Sequence, residues 1–212
     1  MIIKTLGTRG SNFNKGIDYE LYGQETTSFY AKSKDSNILV DCGSGVSYII
    51  DDLKQLDKLN ILLTHVHFDH IVGILSLISN MPHTKISVFG LGTNGKSLKE
   101  TLRPFVSMPY WPIDLSECPN VEFIDIFEIT KDNTFMLNDV KVSVFESYHT
   151  ENALIYKLED ETDKVCFAFD FNHKDGNLNG WFSELAFMPV DFNKKAMVDE
   201  WSGDYGCGVK YF

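Results

Sequence analysis

The densest group of chemically active side chains in this sequence lies in residues 61–73, which read ILLTHVHFDHIVG. The opening apolar residues predict a buried strand. Because residues i and i+2 of an extended chain point to the same side, His65 and His67 can reach one ion together. Asp69 and His70 follow where the chain must turn. Neutral imidazoles and a carboxylate suit zinc or a similar divalent ion, so the segment predicts a metal site.

The alternative is that these are ordinary surface histidines on a loop. Three of the six histidines of the chain lie in this one segment. Four specified positions of these residue types match by chance in roughly one chain in several thousand. The spacing therefore favours the metal site.

Composition and charge bound the class of protein. With 212 residues, of which 43% are hydrophobic and 23% charged, the chain fits a single globular domain over residues 1–212. The net charge of −11 disfavours a surface that holds a large nucleic acid by neutralising its phosphates. A small anionic substrate is still compatible, because bound cations reverse the local field.

The cysteines and the apolar runs predict the compartment. The four cysteines form no CxxC pair, which predicts reduced thiols rather than a disulfide framework or a thiolate zinc site. The opening MIIKTLGTRGS has no long apolar core and no cleavage site typical of a signal peptide. No apolar run approaches the ~20 residues that span a bilayer. We expect a cytoplasmic protein without a membrane partner.

The order of the elements predicts the fold class. Strand-rich halves with helices inserted between them indicate an α/β (α+β) arrangement, with two sheets packed face to face and helices outside. A helix is predicted over residues 46–55 with Ser44 as its N-cap. A strand is predicted over residues 121–128.

Ligands from one short segment need distant partners. His149 follows the apolar run that ends at Phe145, and Asp170 follows the apolar run 166–169. A carboxylate at the end of a buried strand is well placed to bridge two cations. For His149 alone, an ordinary loop histidine would be the commoner interpretation, but its position between the motif and Asp170 favours a ligand.

This pattern resembles that of a known family. An HxHxDH motif with a later histidine and then an aspartate is the ligand order of the metallo-β-lactamase superfamily. The segments LGTRGS, YGQETTSF, VDCGSGV, MPYWP and FAFDFNH resemble one branch in particular. That branch contains ribonuclease Z-like phosphodiesterases, phosphoribosyl cyclic-phosphate hydrolases and phage enzymes that destroy cyclic-nucleotide immune signals. The resemblance implies an αββα sandwich of two mixed sheets flanked by helices.

The resemblance also implies two metal sites that share one aspartate. Position by position, it assigns His65, His67 and His149 to the first ion, Asp69 and His70 to the second, and Asp170 to both. Asp41 matches an aspartate that supports the ligand loop. Two zinc ions are expected, with manganese as an alternative metal.

The end of the chain departs from the family pattern. The family usually has a further metal-binding histidine well beyond the bridging aspartate. Here 42 residues (212 − 170) follow Asp170, and His173 is the only histidine among them. The expectation is a domain shortened at its C-terminus, or a second metal site that lacks a ligand and binds its ion weakly. A group from a second subunit of a homodimer is another way to fill the position.

The implied activity is the hydrolysis of a phosphodiester. Two ions about 3.5–4 Å apart lower the pKa of a water between them. A hydroxide held near His67, Asp69 and Asp170 would attack phosphorus, and no side-chain nucleophile is required. The expected substrate is a small cyclic nucleotide or cyclic phosphate. Residues 108–111 could stack on its base, although packing is the commoner role of such residues.

Two other functions remain open from the sequence alone. One is a different hydrolase of the same fold, such as a lactamase, a thioesterase or a glyoxalase-type enzyme. The other is a non-catalytic metal-binding protein that lacks a complete second site. The missing histidine is the observation that supports the second alternative.

Overall fold

A computed structural model of the 212-residue chain describes residues 1–11, 15–16, 24–129, 133–147 and 149–170. His173, Cys207 and everything else that was predicted beyond Asp170 lie outside them.

Within the described residues, the first sheet has six strands and is mixed. Its first three strands pair antiparallel, whereas the third to the sixth pair parallel. The strands lie side by side in chain order. They are β1 (Ile2–Gly7), β2 (Ser28–Lys32), β3 (Asn37–Val40), β4 (Lys58–Leu62), β5 (Lys85–Gly90) and β6 (Val121–Asp125).

The second sheet has four described strands in the order β10-β9-β8-β7. They are β7 (Thr134–Leu137), β8 (Val140–Glu146), β9 (Leu154–Glu159) and β10 (Lys164–Phe167). All their pairings are antiparallel. The prediction of two mixed sheets is therefore right for the first sheet and not for the described part of the second. Short connections, such as the turn at Asn138 with its left-handed φ of 46°, allow only antiparallel pairing.

The helices are short and differ in detail from the sequence prediction. They are α1 (Ile50–Leu53), α2 (Phe68–Ile71), α3 (Gly73–Asn80), α4 (Leu98–Leu102) and α5 (Ile126–Ile129), with 3-10 turns at Ser44–Ile49 and Leu115–Glu117. The predicted helix 46–55 is a 3-10 turn followed by α1. Ser44 does not cap it, because its hydroxyl donates to Glu25 instead. The predicted strand 121–128 ends at Asp125, and α5 then buries Ile126 completely.

Alternation along the first sheet creates two cores. On β3, Leu39 faces the helices, whereas Ile38 and Val40 face the second sheet. On β4, Ile61 and Leu62 divide in the same way. The described layers are thus helices, first sheet and second sheet. This arrangement agrees with the predicted α/β sandwich and leaves the loops of both sheets free to meet at one end.

Two further sequence features have a structural counterpart. Within the described residues, Cys42, Cys118 and Cys166 form no disulfide, and burial raises the pKa of the Cys42 thiol well above its ordinary value. Among the described residues, no helix has the length and apolar character needed to cross a bilayer.

Candidate metal centre

Six predicted ligands lie at one edge of the sandwich, two of them in the short helix α2 and the others in connecting segments. The chain after β4 supplies four of them from the first sheet, and the β8–β9 loop and the end of β10 supply one each from the second. The carboxyl ends of parallel strands commonly carry functional groups, because loops there rest on a rigid sheet. In chain order the six are His65, His67, Asp69, His70, His149 and Asp170.

Three histidines and one aspartate form the first group of ligand atoms, called the three-histidine group below. It contains His65, His67, His149 and Asp170, whose ligand atoms all lie within 4.8 Å of one another. The Nε2 atom of His149 is 3.3 Å from Nδ1 of His67. The predicted convergence of His65 and His67 with a histidine from a distant strand end is therefore present.

A second group shares the same aspartate and is called the Asp69/His70 group. It contains Asp69, His70 and Asp170, again with ligand atoms within 4.8 Å of one another. The His70 Nε2 atom is 3.5 Å from Oδ2 of Asp69 and 3.3 Å from Oδ2 of Asp170. That Asp170 oxygen is also 3.5 Å from Nε2 of His65 and 3.5 Å from Nε2 of His149. One carboxylate oxygen therefore faces both groups.

Two buried nitrogen atoms indicate that these residues fit a metal ion. Nε2 of His65 and Nε2 of His70 are buried, and neither has a hydrogen-bond partner among the described residues. A buried polar atom without a partner is costly, and native structures contain few of them. Both atoms point into the groups described above, so a divalent cation would satisfy them. Imidazole and carboxylate donors suit such an ion.

Asp41 fixes the orientation of the ring that carries one of these nitrogens. Asp41 follows β3, is fully buried and has a left-handed φ of 56°. Its carboxylate accepts hydrogen bonds from the Thr64 N–H at 2.7 Å and from the Thr64 hydroxyl at 2.8 Å. It also lies 2.7 Å from Nδ1 of His70. A proton on Nδ1 leaves Nε2 of His70 as a lone pair that faces Asp170.

Two supporting residues were not found from the sequence. The Thr64 hydroxyl lies 3.1 Å from Nδ1 of His65, so one side chain contacts both Asp41 and His65. The backbone N–H of Ser11, at a left-handed φ of 63°, donates to Oδ2 of Asp69 at 2.7 Å. No direct signal for the second contact is present in the sequence, because almost every residue type carries a backbone N–H.

Burial and neighbouring charges set the protonation states. Burial, aided by His70, lowers the pKa of His65 to about 2, so its ring is neutral near pH 7. Burial alone would raise the pKa of Asp170, but the neighbouring histidines outweigh burial and lower that pKa to about 2. Burial also opposes charge on His70, yet the carboxylates of Asp41 and Asp170 raise the pKa of His70 well above its ordinary value. A metal at Nε2 of His70 must therefore compete with a proton.

An aromatic ring lies exposed between predicted ligands. Phe68 separates His67 from Asp69 in the chain, and its side chain is 59% exposed. Its ring meets the ring of Phe105 edge-on at 5.6 Å, which limits its orientation. Met108 and Tyr110, in the aromatic loop noted from the sequence, are also exposed.

Comparisons with known proteins show what this fold resembles. Residues 22–90 match the family model described as the metallo-beta-lactamase superfamily. The chain has the metallo-β-lactamase fold, and the resemblance seen in the sequence is confirmed. A ribonuclease Z of Clostridium botulinum (strain Eklund 17B / Type B) is 29% identical in an alignment of 144 residues that covers 63% of this chain and 41% of that protein.

Solved structures give the same fold. A metallo-beta-lactamase fold protein, YhfI from Bacillus subtilis, has a TM-score of 0.54 at 17% identity, over 79% of this chain and 61% of that chain. A diphosphatase from the PhnP family has a TM-score of 0.55 at 13% identity, over 81% of this chain and 66% of that chain. At these identities the likeness concerns the fold alone. The chain spans about two-fifths of the length of the ribonuclease Z that it matches.

Proposed function

We propose that this chain is a metal-dependent phosphodiesterase with a two-metal centre. The observation that carries the proposal is the Asp170 carboxylate, whose Oδ2 lies 3.3–3.5 Å from nitrogens of both ligand groups. A carboxylate between two sets of donors is the arrangement that a bridging ligand requires. The ribonuclease Z relative supports phosphodiester chemistry by its name.

Six side chains are assigned to the two ions. We assign His65, His67 and His149 to a first zinc ion, Asp69 and His70 to a second, and Asp170 to both, with manganese as an alternative metal. When bound, two such ions polarise a phosphoryl oxygen and lower the pKa of a water molecule.

Three side chains are assigned to the reaction itself. Asp69, which the Ser11 N–H holds in place, accepts a hydrogen bond from the attacking water and orients it toward phosphorus. His67 and Asp170, whose ligand atoms lie within 4.8 Å of each other, are assigned to the same reaction. His65 stays neutral, because burial keeps its pKa near 2, and therefore offers a lone pair at neutral pH.

The substrate class follows from charge and from the surface beside the ligands. We propose a small cyclic nucleotide or cyclic phosphate, handled by one domain over residues 1–212 in the cytoplasm. The net charge of −11 gives a long polynucleotide little electrostatic attraction. The exposed, oriented ring of Phe68 offers a face for a nucleobase.

The test is a hydrolysis panel with added Zn²⁺ or Mn²⁺. The panel contains cyclic mononucleotides, a base-free cyclic phosphate and a precursor tRNA. We expect turnover of at least one cyclic substrate and no cleavage of the tRNA. Asp170→Ala should abolish turnover, whereas His173→Ala should leave most of it. Equal losses of turnover and metal content in the two variants would show that the bridging role is assigned to the wrong residue.

A second candidate is a metal-binding protein without activity. It is favoured by the Asp69/His70 group, which has only three ligands among the described residues. One bound equivalent of metal, with no turnover of any substrate in the panel, would support this candidate. Two equivalents with turnover would exclude it.

A further inference from the structure

The loop that carries His149 is tied to the first sheet by contacts outside the ligand groups. This loop, residues 147–153, connects β8 to β9 and is called the His149 loop below. It is closed on itself by the Ser147 N–H, which donates to the Ala153 carbonyl at 2.8 Å. Just after it, the Leu154 N–H donates to the carbonyl of Thr64 at 2.8 Å. Thr64 directly precedes His65, so this bond joins the backbones of two ligand segments.

Two side chains of the His149 loop reach the loop that follows β5. The Asn152 side-chain amide donates to the Gly92 carbonyl at 2.6 Å. The Glu151 carboxylate accepts a hydrogen bond from the Asn94 N–H at 2.9 Å. Asn152 has a left-handed φ of 61°, a conformation that asparagine tolerates better than most residues.

The loop that follows β5 is tightly folded where Asn152 contacts it. A Cβ atom on Gly92 would lie 2.1 Å from the carbonyl oxygen of Lys96, so the backbone there is tightly folded. The Lys96 N–H also donates to the Thr93 carbonyl at 3.1 Å, which closes the same turn. The hydrogen bond to the Gly92 carbonyl therefore ties the His149 loop to a tightly folded turn that follows β5 of the first sheet.

We propose that Asn152 is a positioning residue for His149. The inference rests on the proposed metal centre. His65 and His67 come from the first sheet, whereas His149 comes from the second, and the three must meet to within a few tenths of an ångström to share an ion. The Asn152 amide holds the His149 loop at the distance from the first sheet that this requires.

The chain contains a matched control for this contact. Asn138 also has a left-handed φ, 46°, and its side-chain amide donates to a backbone carbonyl, that of Asp35, at 2.6 Å. It lies in the turn between β7 and β8, and neither ligand group contains it or its partner. Replacement of either asparagine by glycine keeps the backbone conformation accessible and removes the donor.

The experiment measures zinc affinity of the apoprotein by competition with a chromophoric chelator, without any assay of turnover. Asn152→Gly should weaken the tightest site roughly tenfold, at the low end of the effect of removing groups that orient ligands. Asn138→Gly should leave that affinity unchanged. In a His149→Ala background, Asn152→Gly should have no further effect, because the bond acts through His149.

Three outcomes would overturn the inference. They are an unchanged affinity in Asn152→Gly, an equal loss in Asn138→Gly, and an undiminished tenfold effect when His149 is already absent. A protein that binds zinc as described but hydrolyses no phosphodiester would disprove the proposed function and leave this inference standing. A protein that binds no zinc would overturn both.

Discussion

At the scale of single residues, the rings of His65 and His70 are each oriented so that one nitrogen contacts a neighbouring side chain and the other faces the ligand groups. Nδ1 of His70 lies against Asp41 and Nδ1 of His65 lies against the Thr64 hydroxyl, so that Nε2 of each ring is directed inward. Buried imidazoles kept in this way are ready to bind a cation. Without a cation, the buried Nε2 of His65 has no hydrogen-bond partner among the described residues and lowers the stability of the fold.

The burial of the neutral His65 ring predicts that the stability of the metal-free protein depends on pH. The pKa of His65 is about 2 in the folded state, against 6.5 for an unperturbed ring. Between these values the unfolded chain binds a proton that the folded chain does not, so stability falls as the pH drops below 6.5. At pH 5 this protonation of the unfolded chain lowers the free energy of unfolding by about 2 kcal/mol, since each pKa unit corresponds to about 1.4 kcal/mol.

His65→Gln removes the titrating group, so the loss of stability that His65 causes at low pH should disappear. Urea denaturation of both apoproteins at pH 7.5 and pH 5, in the presence of a chelator, measures it. We expect the variant to lose about 2 kcal/mol less than the parent between the two pH values. Identical losses would mean that His65 is not held neutral by burial.

The structure brings the predicted ligands together, whereas the contacts that support them had little signal in the sequence. His65, His67, Asp69 and His70 could be found because i, i+2 spacing after an apolar run is visible in the letters. His149 and Asp170 needed the order of later strand ends as well. The Ser11 N–H that holds Asp69 had no comparable signal, because every residue except proline offers that group and only the fold selects one.

At the scale of elements, the ligand segments are held by close backbone contacts. The N–H of Gly73, the first residue of α3, donates to the Cys42 carbonyl at 2.7 Å, and the Cys42 N–H donates to the His70 carbonyl at 2.7 Å. These bonds tie α2 and the start of α3 to the turn that follows Asp41. The turn therefore places Asp41 and His70 against each other.

This contact leaves no room for a side chain at position 73. A Cβ on Gly73 would lie 2.3 Å from the Gly43 carbonyl oxygen and 2.5 Å from a methyl of Val46. We expect Gly73→Ala to lower the free energy of unfolding by about 3 kcal/mol, since a clash with backbone forces the elements apart. It should also weaken metal binding, because the turn beside Asp41 moves.

Chemical denaturation and zinc competition measure the two effects. Ser79→Ala, on the exposed side of the same helix, is the control and should change stability by no more than about 0.5 kcal/mol. Wild-type stability in Gly73→Ala would contradict the close packing described above.

Local sequence signals failed where tertiary contacts competed with them. Ser44 has the residue type of an N-cap, but its hydroxyl donates to Glu25 at 2.7 Å, and the segment begins as a 3-10 turn instead. Ile126 reads as part of a strand, yet the core between the sheets buries it in α5. In both cases long-range packing outweighed a weak local preference.

At the scale of the whole molecule, the two-sheet sandwich brings together ligands that lie about a hundred residues apart in the chain. The Tyr156 side chain of the second sheet is fully buried, and its hydroxyl donates to the Leu63 carbonyl of the first sheet at 2.7 Å. This bond crosses the core two residues before His65. The strand order and the alternation of apolar residues predicted two layers, whereas their register against each other depends on contacts such as this one.

We expect the two ligand groups to bind two ions that act together, with a higher affinity at the three-histidine group. The three-histidine group has four ligands and the Asp69/His70 group has three among the described residues. An ion with fewer protein ligands binds more weakly.

The direct measurement is a titration of Zn²⁺ into the apoprotein while bound metal and turnover of a cyclic phosphodiester are followed together. We predict a tight first equivalent without activity, a weaker second equivalent with which turnover appears, and loss of turnover on dialysis against metal-free buffer. Full turnover at one equivalent, or two equally tight equivalents whose activity survives dialysis, would contradict the account.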